Sequence, residues 1–258
     1  MAHNYTLEIA VNDYPGAAAA AAGGADRIEL CNALSEGGLT PSFGLIRKCL
    51  QDFTIPIFPI IRPRSGDFLY TNAEFEIMVS DLILCKELGC KGVVVGFLNA
   101  DGSVDQEKTE RFCVLAAPME VTFHRAFDRC VNPFAALEVI ITAGCKRILT
   151  SGQQLAAPDG ARLIADLVKA AAGRISIMPG SGVRPENISA LATQTGATEF
   201  HSSMRSVAPS AMQYKHPSFA AVPDDYVVSV IKDADVREAR RNLGLVLTDA
   251  TDNTDIVG

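Results

Sequence analysis

Apolar positions along the chain fall into short runs with a period of two, separated by longer stretches with helical spacing. The runs predict strands at Thr6–Val11, Arg27–Cys31, Pro56–Arg64, Gly92–Leu98, Glu120–Phe127, Arg147–Ser151, Ile175–Pro179 and Ala197–Ser202. Helices fit between them near Pro15–Gly23, Ser42–Gln51, Ala73–Leu88, Gln106–Ala116, Pro133–Ala143, Gly160–Ala172 and Pro185–Thr195, and a last one fits Ala234–Leu243. Gly23–Gly24, Gly89, Gly144, Gly173 and Gly196 stand between a helical stretch and the next strand, where a C-cap belongs. Pro133 and Pro185 suit a first helical turn. Eight strands in regular alternation with helices give the count of a (β/α)8 TIM barrel, an α/β fold in a single domain over residues 1–247. Residues 248–258 read as a polar, acidic C-terminal tail, frayed at its end. A doubly wound open sheet is the rival, but its Gly-rich phosphate turn is missing after the first strand, where the chain reads NDYPGAAAA. The Pro- and Ser-containing segment 204–225 breaks the rhythm and reads as a long loop acting as a lid, a contact or a mobile stretch.

Strand parity then selects the residues that face the lumen. Leu7, Ile9 and Val11 share one face of the first strand and Glu8 and Ala10 the other. In the second strand Glu29 and Cys31 oppose Ile28 and Leu30. His124 opposes Phe123, Glu199 and His201 oppose Phe200, and Arg62 and Arg64 share parity with Phe58 and Ile60. If the apolar faces pack on helices, Glu8, Glu29, Cys31, Arg62, Arg64, His124, Glu199 and His201 converge on the upper lumen, near the strand ends where such barrels keep their active sites. Buried charges in that number need partners and are a costly filling for a core.

The residue types suggest roles. His124 and His201, with Glu29 and Glu199, form the candidate acid–base set. Arg62 and Arg64 are candidate clamps for a carboxylate or phosphate, or internal partners of Glu8 or Glu29. Asp67 and Asp128 follow strands and face either the same mouth or their own loops. Gly180–Ser181–Gly182 and Ser202–Ser203 follow the last two strands, where a phosphate often sits in these barrels; a tight turn that needs glycine is the alternative. Ser151, in the turn Thr150–Ser151–Gly152, adds a hydroxyl to the mouth.

Composition narrows the partners. The 258 residues are 48% hydrophobic, enough for a sizeable core, and the net charge is -7 with a pI of about 5.1. Nucleic-acid binding through a broad basic surface is excluded. No apolar run is long enough to span a bilayer. The start MAHNYTLEIAV lacks a charged region followed by an apolar one, so no signal peptide is read and a cytoplasmic location is expected. Seven cysteines without regular spacing read as buried thiols in a reducing compartment.

The stretches GADRIELCNALSEGGLTPS, IIRPRSGDFLY, VTFHRAFD, RILTSG, IMPGSGV and ATEFHSS resemble the copper homeostasis protein CutC family. They run in order over about the first four-fifths of the chain, and the sequence after Ser206 departs most. The resemblance implies a (β/α)8 barrel, a cytoplasmic protein and a link to copper, but no reaction. Copper is therefore the one candidate cofactor. Cu(I) prefers two or more sulfur ligands, and the chain has neither a CxxC nor a Met-rich run; Cys31 is the sole candidate metal ligand, with Cys49 on the outside of the barrel. Three functions follow: an enzyme acting on a small anionic metabolite, perhaps phosphorylated; a Cu(I)-binding copper-tolerance protein anchored at Cys31; or a scaffold whose barrel has lost its activity. The expected partners are that small anion or Cu(I), and other copies of the chain in a homo-oligomer.

Overall fold

The computed structural model describes residues 5–219, 222 and 226–244. The tail read at 248–258 lies outside them. Parallel strands β1 (Thr6–Val11), β2 (Arg27–Leu30), β3 (Ile57–Pro59), β4 (Gly92–Val95), β5 (Glu120–Phe123), β6 (Arg147–Thr150), β7 (Ser176–Pro179) and β8 (Glu199–Ser202) alternate with helices. These are α1 (Tyr14–Ala22), α2 (Phe43–Asp52), α3 (Asn72–Leu88), α4 (Gln106–Ala116), α5 (Pro133–Ala143), α6 (Ala161–Ala171), α7 (Pro185–Thr195) and α8 (Asp233–Asn242). The strands pair in the orders β3-β2-β1-β8 and β4-β5-β6-β7. Between β3 and β4, Ile60 bridges Val94 and the Ile61 amide donates to the Val94 carbonyl at 2.8 Å. Strands β7 and β8 lie side by side with no ladder between them among the described residues, so the barrel keeps a seam there.

Local chemistry sets the helix ends. Thr71 and Glu74 close a reciprocal capping box at the start of α3, and Gly89, Gly144 and Gly196 end α3, α5 and α7 with positive φ. Helix α6 departs from the expected glycine cap: Ala172 takes the left-handed position at φ 48°, one residue before Gly173.

The predicted β2 to β6 run past the observed strands at their C-terminal ends, whereas β1, β7 and β8 end where expected. Past the Ile60 and Ile61 contacts with Val94, Pro63 cannot donate to a ladder. After Phe123, the amide of Ala126 bonds to the His124 ring instead of to a neighbouring strand. The segment read as a loop over 204–225 begins as a strand: β9 (Arg205–Pro209) pairs antiparallel with β10 (Val227–Ile231). Parity holds within the barrel. Leu7, Ile9 and Val11 join the core between strands and helices, whereas Cys31, Phe58, Ile60 and Val94 form a separate apolar cluster inside the lumen.

Candidate active site

The lumen floor is a chain of ion pairs. Arg27 donates to Glu8 and, at 2.7 Å, to Glu199. Arg147 donates to Glu199 at 3.0 Å, to Glu120 at 2.5 Å and to Thr122 at 3.2 Å. Both guanidinium groups stack over Phe58, 5.1 and 5.3 Å from the ring centre. Burial alone would raise the pKa of Glu8, but Arg27 and His201 outweigh it and hold the group at about 2. Glu199 is likewise below its usual value, with burial outweighed by Arg147 and Arg27. Glu199 is therefore committed to the floor. The parity of Arg27 with Glu29 and Cys31 was the sequence signal for it.

Above the floor, His201 places Nδ1 2.7 Å from Glu8 and Nε2 3.6 Å from Glu29. The Cys31 thiol donates to the same Glu29 oxygen at 3.5 Å. Burial pushes Glu29 up to about 7, with His201 opposing and Glu8 adding to the shift. Burial lowers the affinity of His201 for a proton, yet Glu29 and Glu8 overcome it and raise its pKa. Cys31 is pushed well above its usual value, first by burial and then by Glu29, so its thiol stays protonated.

His124 is the opposite case. Its Nδ1 accepts from the Ala126 amide at 3.1 Å, which fixes the proton on Nε2. That Nε2 is buried and has no hydrogen-bond partner. Burial, and then Arg62, Arg129 and Arg125, lower the pKa to about 3. His124 is therefore a neutral N–H donor. Phe68 packs on its ring with centroids 4.9 Å apart, and a Cβ at Gly96 would lie 2.5 Å from it.

Glu29, His124 and His201 line one cavity of about 270 Å³ at the C-terminal strand ends, rimmed by Arg125, Arg184 and Arg205. Ser181, Gly182, Val183, Ser202 and Ser203 complete its β7–β8 side. The carbonyls of Ser181, Gly182 and Val183 are occupied by the Ala157 amide (2.9 Å), the Asn187 side-chain amide (2.9 Å) and the Ser202 hydroxyl (2.6 Å). Among the described residues, the amides of Ser181, Gly182, Val183 and Ser203 donate to no protein group. Ser181 and Gly182 both take left-handed backbone, at φ 75° and 69°. Unpaired amides from successive turn residues ahead of α7, at the seam where strands do not pair, are donors of the kind that an anion can take up.

The three rim arginines lie outside the eight barrel strands, so barrel parity does not bring them to the cavity. Arg125 is positioned by Asp128 at 2.7 Å and by Ser151 at 2.9 Å. Asp128 in turn accepts from Thr150 and from the amides of Ser151 and Gln153. Arg184 donates to the Arg205 carbonyl at 3.2 Å, and the Arg205 guanidinium has no ion-pair partner among the described residues.

Several expected anion ligands are elsewhere. Arg62 is buried, but it donates to the carbonyls of Glu36, Gly38 and Gly66 and stacks on Phe68. It therefore braces loops: it lies three residues past the end of β3, where its own amide bonds to the Thr40 hydroxyl. Arg64 pairs with Glu74 at 2.5 Å and with exposed Asp67 at 2.9 Å, on the outside. Neither Arg64 nor Asp67 lines the cavity. Gly180 is a contact point: a Cβ there would meet Leu149 at 2.3 Å and His201 at 3.2 Å. Glu8 and Ser151 reach the cavity only through His201 and Arg125.

The donor set does not fit a Cu(I) centre. Cys31 offers one protonated sulfur beside a carboxylate, among Phe58, Ile60, Val94 and Leu34. Cys49 is buried in the separate core outside the barrel. No group of three or more His, Cys, Asp or Glu among the described residues is arranged to hold a metal ion. No described helix is long and apolar enough to cross a membrane.

The CutC family profile matches residues 5–206. A CutC family protein of Chromobacterium violaceum is 47% identical over 240 residues, 92% of this chain and 97% of the relative. The human copper homeostasis protein cutC homolog is 45% identical over 219 residues, 85% of this chain and 80% of the relative. The crystal structure of a copper homeostasis protein CutC from Streptococcus agalactiae is 29% identical, with a TM-score of 0.73 over 77% of this chain and 98% of that one.

Proposed function

The chain belongs to the CutC family, and we propose that its barrel is the active site of an enzyme for a small phosphorylated metabolite. One observation carries this reading. A single cavity joins free backbone amides and three arginines on its rim to Glu29, His124 and His201 at its base. The rim supplies charge and donors for a phosphate group. The base supplies a carboxylate poised to gain or lose a proton near neutral pH and a neutral N–H donor without a partner. A packed structural lumen would leave neither the donor nor the amides unpaired. The reaction would take place in the cytoplasm, in a homo-oligomer, without nucleic acid or membrane.

Thermal melts test this directly. Inorganic phosphate and a panel of sugar phosphates should raise the melting temperature, and the corresponding neutral sugars should not. A ligand at a hundred times its dissociation constant adds about 2.7 kcal/mol to stability. Equal shifts from charged and neutral sugars would reject the reading. The copper in the relatives' names points to a second reading, binding of Cu(I) through Cys31. It is read by Cu(I) titration against a competing thiol: stoichiometric binding lost in Cys31→Ser but retained in Cys49→Ser would favour it.

A further inference from the structure

The arrangement of polar groups around the cavity narrows the reaction as well as the ligand. We propose that the site moves a proton at a carbon next to a carbonyl group of a small phosphorylated aldehyde or ketone, with Glu29 as the base and His124 as the donor to the carbonyl oxygen. This rests on the phosphate reading above.

Three features of the geometry point to it. First, the Ala126 amide occupies Nδ1 of His124, so Nε2 carries the proton and is left without a protein acceptor. A buried donor left open costs stability and is kept where a ligand oxygen completes it. A neutral imidazole polarises a carbonyl without giving up its proton outright, and the guanidinium groups near it keep it neutral. Secondly, Glu29 lines the same cavity, and only one of its carboxylate oxygens is engaged, by His201 and Cys31. Its other oxygen has no partner among the described residues. Thirdly, among the described residues no cysteine or serine at the cavity is hydrogen-bonded to a histidine that would activate it for a covalent step: burial and the neighbouring carboxylate keep Cys31 protonated, and the Ser181 and Ser202 hydroxyls donate to the Leu155 and Val183 carbonyls. Acid–base chemistry is what remains.

The step balances without a co-reactant. Glu29 takes the proton from carbon. The C–H electron pair becomes the new C=C bond, and the carbonyl π pair moves onto oxygen, where the His124 Nε2–H stabilises the enolate. Return of the proton, or of a deuteron that Glu29 has exchanged with solvent, to the same carbon restores the C=O bond and the carboxylate and releases the substrate with its α-hydrogen exchanged. His201 is a positioning residue here, held by Glu8 and holding Glu29.

The experiment is proton exchange in D2O followed by 1H NMR. The protein is mixed in turn with dihydroxyacetone phosphate, glyceraldehyde 3-phosphate, ribulose 5-phosphate and fructose 6-phosphate, with thermal melts run on the same mixtures. The expected result is loss of the α C–H signal from at least one of them, at least about 10²-fold faster than in buffer. Glu29→Gln should abolish that exchange, and His124→Gln should slow it about 10²-fold. In both variants the same probe should still raise the melting temperature. Stabilisation by the sugar phosphates with no exchange in any of them would overturn the proton-transfer proposal and leave the phosphate reading standing. No stabilisation by any of them would remove both. Exchange that survives Glu29→Gln would reject Glu29 as the base.

Discussion

Arg27 shows how much of this lumen is settled by single residues. It is nearly inaccessible, and it is shared between Glu8, at no exposure, and Glu199. Replacing it by Met keeps much of the volume over Phe58 but leaves two carboxylates facing each other in a site too dry to solvate them. Breaking a buried pair in this way typically costs about 3–5 kcal/mol, so Arg27→Met should lower the urea midpoint by that equivalent. The double variant Arg27→Met with Glu8→Gln should recover part of the loss. Arg125 makes the complementary case. It is held at the cavity rim by Ser151 and Asp128, and Ser151→Ala removes one of those two holds without touching the cavity. Phosphate affinity should fall severalfold in a melting titration, and because the buried Ser151 hydroxyl also bonds with Asp128 and the Gln154 carbonyl, stability without ligand should fall by about 1–3 kcal/mol.

At the scale of elements, the alternation of strand and helix was readable because each β-run carries its own parity and each helix its own stop. That parity placed Glu8, Glu29, His124 and His201 on the lumen side. It failed at Arg62 and Arg64, because parity holds only while the chain remains a strand, and β3 ends at Pro59, before either arginine. It put Arg125 on the Phe123 face of an overlong β5, away from the lumen, and was silent on Arg184 and Arg205, which belong to the loop before α7 and to β9. Nor could it rank depth: Glu199 and His201 have the same parity, but one lies in the floor and the other one layer up. The link between β4 and β5 offers a test at this scale. Gly96, just past β4, lies against the His124 ring just past β5, and an added Cβ would come within 2.5 Å of Cε1 and Nδ1. Gly96→Ala should therefore push the imidazole off the Ala126 amide, at a cost of about 1–3 kcal/mol from overpacking. The 15N shifts of His124 should then show loss of the single Nε2–H tautomer. Unchanged shifts would mean that strand positions adjust instead.

For the whole molecule, the floor and the cavity impose opposite demands on stability, and pH separates them. Glu8 has its folded pKa at about 2 against an ordinary 4.5, so its contribution is fully present above 4.5 and is lost as pH falls toward 2. Glu29 is displaced the other way, to about 7. Between 4.5 and 7 the unfolded chain has released that proton while the folded chain keeps it, so stability falls as pH rises through this window. His201 is raised above 6.5 by its carboxylate neighbours, so its contribution is complete below 6.5 and is lost as pH climbs through the raised value. Together the three signs put the maximum near pH 4.5, with a fall from there through pH 7 as Glu29 is forced to charge and a further fall above 6.5 as His201 loses its proton. Melting temperatures measured from pH 3 to 9 should show it. Glu29→Gln removes the group that resists charging, so it should flatten the alkaline fall. It should raise stability at pH 8 by on the order of 2 kcal/mol while changing little at pH 4.5. A residue whose removal stabilises the fold at working pH is one the chain keeps for what it does in the cavity. If Glu29→Gln instead lowers the melting temperature at pH 8 as much as at pH 4.5, the carboxylate is a structural partner of His201 and its role as a base fails with it.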